Sequence, residues 1–100
     1  MSTMAHTLQL AGRETLSPES AKSLLASGGQ LVDVRSPADF SRYALTGALN
    51  LPAAALSHDF NLLDKREPVI LCGMHGVACV RAARLLAGQG FSRIYHLQLT

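Results

Sequence analysis

A chain of 100 residues is long enough for one modest domain and too short for two. Hydrophobic residues make up 48% of the sequence and charged residues 16%, which excludes a disordered chain and predicts a packed core. The net charge of +2 comes without a basic cluster, so the sequence lacks the electrostatic footprint of a nucleic-acid-binding protein.

The amino-terminal residues and the apolar segments of the sequence indicate the cellular compartment of the protein. The first residues contain no basic stretch followed by an apolar one, so we expect no secretory signal. No apolar run approaches the roughly twenty residues of a membrane helix, and we expect a cytoplasmic protein that does not enter a membrane. Cys72 and Cys79 should stay reduced there, so reactivity or burial explains them better than a structural disulfide.

After a polar lead-in at residues 1–13, the sequence alternates short apolar segments with segments of helical periodicity. Ser17 and Ser36 each precede a proline, and this pair of residues is typical of a helix start. Gly28 and Gly29 end the first helix. In chain order the predicted elements are a helix from Pro18, a strand at Leu31–Val34, a brief helix from Pro37 through Phe40, a strand at Ala48–Leu51, short helical turns around Ala53–Leu56 and Phe60–Leu63, a strand at Val69–Leu71, a helix at Val77–Ala87 and a last strand around Ile94 and Tyr95.

This order of elements predicts a fold of the α/β class. Strands that alternate with helices require crossover connections, which place parallel strands in one sheet and helices on its faces. We therefore predict a single three-layer domain over residues 14–100, with a central, mainly parallel sheet flanked by helices. Ligands of such sheets bind at the carboxyl ends of the strands.

Cys72 comes directly after the predicted strand Val69–Leu71, at the start of a loop that leads into a helix. Glycines in the loop let the backbone curl so that successive N–H groups converge, and the helix adds its positive end. Such an environment holds an anion or lowers the pKa of a thiol. Cys72 is therefore the candidate nucleophile. The candidate anion-binding loop consists of Gly73, Met74, His75, Gly76, Val77 and Ala78.

Several interpretations of these residues stay open. A small cysteine after a buried strand is also a common core residue, so Cys72 can be inert. Cys79, in the first helical turn, can be a resolving thiol that attacks an oxidised or persulfidated Cys72, or a buried, unreactive cysteine. Together with His75 the two cysteines lack a fourth ligand for a closed zinc site, so we predict no metal. Asp33 and Arg35 are predicted to join nearby loops by ion pairs and hydrogen bonds.

Three segments, in this order, resemble the rhodanese-like family. Leu31–Arg35 is similar to the family's Asp-Val-Arg segment, and Leu45–Pro52 is similar to its Ile-Pro-Gly-Ala-Ile-Asn-Ile-Pro stretch. Val69–Cys72, the glycine loop and the helix with Arg81–Leu86 match the family's strand, active-site loop and helix. The resemblance covers nearly the whole chain, from about residue 16 to residue 97.

The resemblance implies a sulfurtransferase without a metal or organic cofactor. Such an enzyme takes sulfane sulfur from thiosulfate or a protein persulfide, holds it as a persulfide on Cys72, and passes it to a thiol or cyanide. The family also contains non-catalytic modules that bind partner proteins, as well as phosphatases and arsenate reductases with a longer loop. These functions, and a redox pair of Cys72 with Cys79, are the alternatives.

The sequence departs from the family pattern at three places. Ala44 replaces the histidine that usually precedes the Ile-Pro-Gly-Ala stretch, and the loop is one residue longer than the common sulfurtransferase form. Ala78 stands where the phosphatase branch has the arginine that binds the oxyanion, which argues against phosphate chemistry. Arg81 or Arg84 can replace that cation only if the helix turns one of them towards the loop. The chain also stops at Thr100, without the family's closing helix, so we expect either a truncated chain or a version that lacks this element.

Overall fold

The computed structural model describes residues 15–74 and 76–97, so the predicted lead-in lies outside the described residues. Five parallel strands form one sheet in the order β1-β5-β4-β2-β3. The strands are β1 (Thr15–Leu16), β2 (Gln30–Asp33), β3 (Leu49–Asn50), β4 (Val69–Cys72) and β5 (Ile94–Leu97). The helices are α1 (Pro18–Ala26), α2 (Pro37–Arg42), α3 (Leu56–Asp59) and α4 (Gly76–Gly88), with 3₁₀ turns at Ala53–Ala55 and Phe60–Leu62.

The helix starts follow from the capping residues. The Ser17 hydroxyl accepts a hydrogen bond from the N–H of Ser20, and the Ser36 hydroxyl accepts one from the N–H of Asp39. Each hydroxyl satisfies a backbone donor that the first helical turn leaves without a partner. Gly28, with a φ of 109°, takes the left-handed conformation that ends a helix. These observations confirm the predicted starts of α1 and α2.

Strand β4 lies in the middle of the sheet and is buried on both faces. Val69 and Leu71 belong to a core that includes Ala83 and Leu86 of helix α4. The intervening Ile70 belongs to a second core on the opposite face, where α1 packs. The structure thus confirms three layers, with the sheet between two sets of helices.

Strand β1 is an element that the sequence analysis did not predict. It has two residues, and it pairs with the last strand through the registers Thr15 to His96 and Leu16 to Leu97. Two residues carry no detectable periodicity, so only the presence of β5 beside them defines this strand. Over residues 15–74 and 76–97 the structure has no helix that is long and apolar enough to cross a membrane.

Candidate active site

Cys72 is the last residue of β4, at the carboxyl end of the central strand. The predicted strand ended one residue earlier, at Leu71, but the carbonyl of Cys72 still accepts a hydrogen bond from the N–H of Val34 at 3.1 Å. Its side chain is 2% exposed and packs in the core on the α1 face of the sheet. The candidate nucleophile is therefore held by the sheet rather than by the loop.

Gly73 turns the chain out of the strand with a φ of 92°, a conformation that favours glycine. A Cβ atom at this position would come within 2.7 Å of Cγ of Arg35 and 2.9 Å of Oδ1 of Asp33. The missing side chain therefore allows the loop backbone to lie directly on two residues from β2 and the loop after it. Gly76, the other loop glycine, is simply the first residue of α4.

Asp33 and Arg35 form a two-pronged ion pair beside Cys72. Nε of Arg35 donates to Oδ1 of Asp33 at 3.0 Å, and Nη2 donates to Oδ2 at 2.8 Å. The same Nη2 also donates to the carbonyl of Tyr43. Burial of Asp33 on its own raises the pKa of this carboxyl, but the hydrogen bonds from the side chain and backbone of Arg35 outweigh it and the pKa is lowered. The carboxylate therefore remains charged.

Asn50 supports this pair from the neighbouring strand β3. Its side-chain amide donates to the carbonyls of Asp33 and Arg35, both at 3.0 Å. One amide thus fixes the backbone on either side of Val34 at the carboxyl end of β2. Asn50 was not among the predicted site residues, although it lies in the segment Leu45–Pro52 that resembles the family.

The environment of Cys72 raises its pKa to about 11. Burial of the thiol is the largest cause, the Asp33 carboxylate adds to it, and the positive charge of Arg35 opposes both. The prediction that the site lowers the pKa of Cys72 is therefore wrong for this conformation. The main physical reason is the burial of the thiol in the core, and the register of the sheet adds to it by pairing Asp33 with Cys72.

The rest of the predicted anion-binding loop is only partly covered by the structure. Met74 is half-buried and packs on the core of the α4 face, whereas Val77 and Ala78 are exposed in the first turn of α4. His75 lies outside the described residues. The convergence of the loop N–H groups on one anion remains a prediction.

Cys79 is 4% exposed on α4, and burial raises its pKa as well. The structure has Cys72 and Cys79 as two buried thiols rather than as a disulfide. Among the described residues, no group of three or more histidine, cysteine or acidic side chains could hold a metal ion. A resolving function of Cys79 stays a prediction.

The two arginines of α4 differ in their position relative to the loop. Arg81 lines a cavity of about 310 Å³ together with Met74 of the loop and Ala78. Arg84 is exposed and does not line it. Cys72 does not line this cavity either, and the cation that acts on its thiol is Arg35. From the sequence, Arg35 was predicted to have a structural role.

These features define a class of α/β domains with a thiol at a strand–helix junction. The sheet is parallel, the cysteine lies at the carboxyl end of the central strand, and a glycine turn and a helix follow it. The sequence model of the rhodanese-like domain family matches residues 17–99 of this chain. The chain belongs to the rhodanese-like family. The match confirms the resemblance seen in the sequence.

Relatives with related sequences are named as enzymes. The chain is 39% identical over 83 residues to the thiosulfate sulfurtransferase GlpE of Ectopseudomonas mendocina, a match that covers 82% of this chain and 75% of that protein. It is 34% identical over 82 residues to the protein of the same name from Pseudomonas entomophila, with the same coverage.

Solved structures show the same fold. The human single-domain sulfurtransferase TSTD1 matches with a TM-score of 0.65 and 24% identity, over 83% of this chain and 87% of that one. A rhodanese-related protein from Thermoplasma volcanium matches with a TM-score of 0.70 and 16% identity, over 85% and 83% of the two chains. At these identities the likeness establishes the architecture, which agrees with the predicted α/β class.

Proposed function

We propose that this chain is a thiosulfate sulfurtransferase that carries sulfane sulfur as a persulfide on Cys72. The observation that carries the proposal is the position of this thiol at the carboxyl end of the central strand, where the strand meets the Gly73 turn and α4. Relatives that share up to 39% of the aligned residues are thiosulfate sulfurtransferases by name. We also propose a cytoplasmic location, because cysteines without a disulfide, such as Cys72 and Cys79, are typical of that compartment.

The proposed reaction has two displacement steps on sulfur. After Cys72 loses its proton to solvent, the thiolate attacks the outer sulfur of thiosulfate, a new S–S bond forms, and sulfite leaves with the electron pair of the broken S–S bond. An acceptor thiolate or cyanide then attacks the terminal sulfur of the persulfide and releases the Cys72 thiolate. The donor can equally be a protein persulfide. No metal or organic cofactor enters either step.

The surroundings of Cys72 set the pH dependence of this reaction. With a pKa of about 11, the thiol is protonated at neutral pH, and only about one molecule in ten thousand carries the thiolate. The thiolate fraction rises tenfold for each pH unit up to the pKa, and sulfur uptake should rise with it. The positive charge of Arg35 favours the thiolate, so loss of this charge should slow the first step.

The same observations support a second candidate, a non-catalytic rhodanese-like module that binds a partner protein. A buried thiol with a raised pKa is a poor nucleophile, and Ala78 supplies no cation to the loop. This module would keep the fold and the Asp33–Arg35 pair without using Cys72 chemically. The absence of an arginine at Ala78 also argues against phosphate or arsenate as a substrate.

Intact mass after incubation with thiosulfate distinguishes the two candidates. The protein and its Cys72→Ser and Cys79→Ser variants are incubated at pH 7 and at pH 9, since the higher pH raises the thiolate fraction. An enzyme gains about 32 Da, faster at pH 9, loses the added mass with cyanide, and requires Cys72 but not Cys79. No gain at either pH, with all variants folded, would refute sulfur uptake from thiosulfate and favour the binding module.

A further inference from the structure

A cavity of about 310 Å³ lies between helix α4 and the segment that leads into α3. Alanines supply half of the residues that line it, and their short side chains leave the space open. This volume is near the lower end of the roughly 300–1,000 Å³ typical of small-molecule sites. The alanines are Ala53, Ala54, Ala78 and Ala82.

In the part of the chain that the structure describes, the remaining wall of the cavity is apolar apart from one arginine. Leu56, Met74 and Leu85 complete the apolar lining, and Met74 has the flexible side chain that adapts to different ligand shapes. Among the described residues of the lining, Arg81 is the one that is ionisable. An apolar pocket with one fixed charge is suited to a ligand with an apolar body and one charged end.

Arg81 has its guanidinium available for a ligand. Over residues 15–74 and 76–97, its side chain takes part in none of the ion pairs, which join Arg35, Arg42 and Arg66 to aspartates. A guanidinium binds a carboxylate with two parallel hydrogen bonds, and this geometry selects a carboxylate over a neutral polar group. A ligand that pairs with Arg81 is therefore expected to carry a negative charge.

The cavity adjoins the active-site loop without including the nucleophile. Met74 packs with the core on the α4 face of the sheet, whereas the side chain of Cys72 packs on the opposite face, with Leu31 and Ile70. A molecule in the cavity would touch the loop through Met74 and leave Cys72 in place. Occupation of the cavity therefore does not require sulfur chemistry.

We propose that this cavity is an accessory site for a small amphipathic carboxylate. The carboxylate pairs with Arg81, and a short alkyl chain or a single ring packs against Met74, Ala82 and Leu85. The site goes beyond the proposed sulfur transfer and stands independently of it, because its residues do not include Cys72.

A titration of the ¹⁵N-labelled full chain with hexanoate tests this site, with amide chemical shifts as the readout. Hexylammonium, which has the same chain length and the opposite charge, is the ligand control. We expect saturable shifts centred on Met74, Ala78 and Ala82, and an affinity for hexylammonium at least about fivefold weaker. Shifts centred elsewhere, or equal binding of the two probes, would overturn the proposal.

Substitutions test the two parts of the site separately. Arg81→Gln should weaken hexanoate binding at least about fivefold, because it removes the charge. Ala78→Leu should weaken it at least as much by filling the cavity, and leucine is a good helix former at this exposed position. The matched control Arg84→Gln, on the same helix and outside the cavity, should change the affinity less than twofold, as should Cys72→Ser. Equal effects of Arg81→Gln and Arg84→Gln would refute the site, whatever the outcome of the thiosulfate experiment.

Discussion

Replacing Gly73 by alanine adds one methyl group at the point where the active-site loop lies on the Asp33–Arg35 pair. The new Cβ would lie 2.7 Å from Cγ of Arg35 and 2.9 Å from Oδ1 of Asp33, distances that real Cβ atoms do not keep. The φ of 92° adds a second cost, because an alanine is strained in that conformation. The ion pair and the loop must therefore move apart.

The magnitude of the effect has two parts. The backbone strain of an alanine with positive φ is about 1–2 kcal/mol. The close contact adds about 1–3 kcal/mol, the usual cost of forcing an extra methyl group into a packed site. We therefore expect Gly73→Ala to lower the free energy of unfolding by about 2–5 kcal/mol, which is a large share of the stability of a small domain.

Urea denaturation of Gly73→Ala and of a matched control measures these parts separately. Gly47 has a similar φ of 85°, but a Cβ there meets nothing within 4 Å. Gly47→Ala should therefore show the backbone strain alone, about 1–2 kcal/mol, and both variants share the same entropy change in the unfolded chain. If the two substitutions destabilise the domain equally within about 0.5 kcal/mol, the close packing of the loop on the ion pair is refuted.

Two further predictions concern the thiol and the core. In the Cys79→Ser variant, the rate at which iodoacetamide alkylates Cys72 should rise about tenfold per pH unit from pH 7 to 10. The reason is that burial and Asp33 raise the pKa of the thiol to about 11. A rate that levels off below pH 8 would contradict this environment. Leu71→Ala, at a fully buried position of β4, should lower the free energy of unfolding by about 2–5 kcal/mol, whereas Leu62→Ala, 65% exposed, should cost less than about 0.5 kcal/mol. Urea denaturation checks both, and similar costs would mean that the core does not lie at β4.

The fold could be predicted to the level of its layers because local signals mark its main elements. The serine–proline pairs at Ser17 and Ser36 define the starts of α1 and α2 through interactions within four residues. The apolar run at Val69–Leu71 indicates a strand that is buried on both faces. Strand β1 could not be predicted, because Thr15–Leu16 becomes a strand only through pairing with residues some eighty positions later.

The residues of the candidate site are visible in the sequence, whereas the electrostatics around the thiol are not. The position of Cys72 before a glycine and a helix is visible in the sequence, and so is the segment with Asp33 and Arg35. The pKa of the thiol depends first on its burial in the assembled core and then on the residue of the neighbouring strand that faces it, and the register that pairs Asp33 with Cys72 is also a property of the assembled sheet. The support from Asn50 depends on a second such register, between β2 and β3.

The strand order has a consequence for how the chain acquires its structure during synthesis. The last strand, β5, lies between the first strand and the central one, so β1 has no neighbour until residue 97 has left the ribosome. Strand β4 can pair with β2 earlier, but its other edge stays open until then, since the N–H of Val69 bonds to the carbonyl of Arg93. The sheet therefore cannot close from its amino-terminal end as the chain emerges, and the nascent polypeptide should remain sensitive to proteases until β5 has been synthesised.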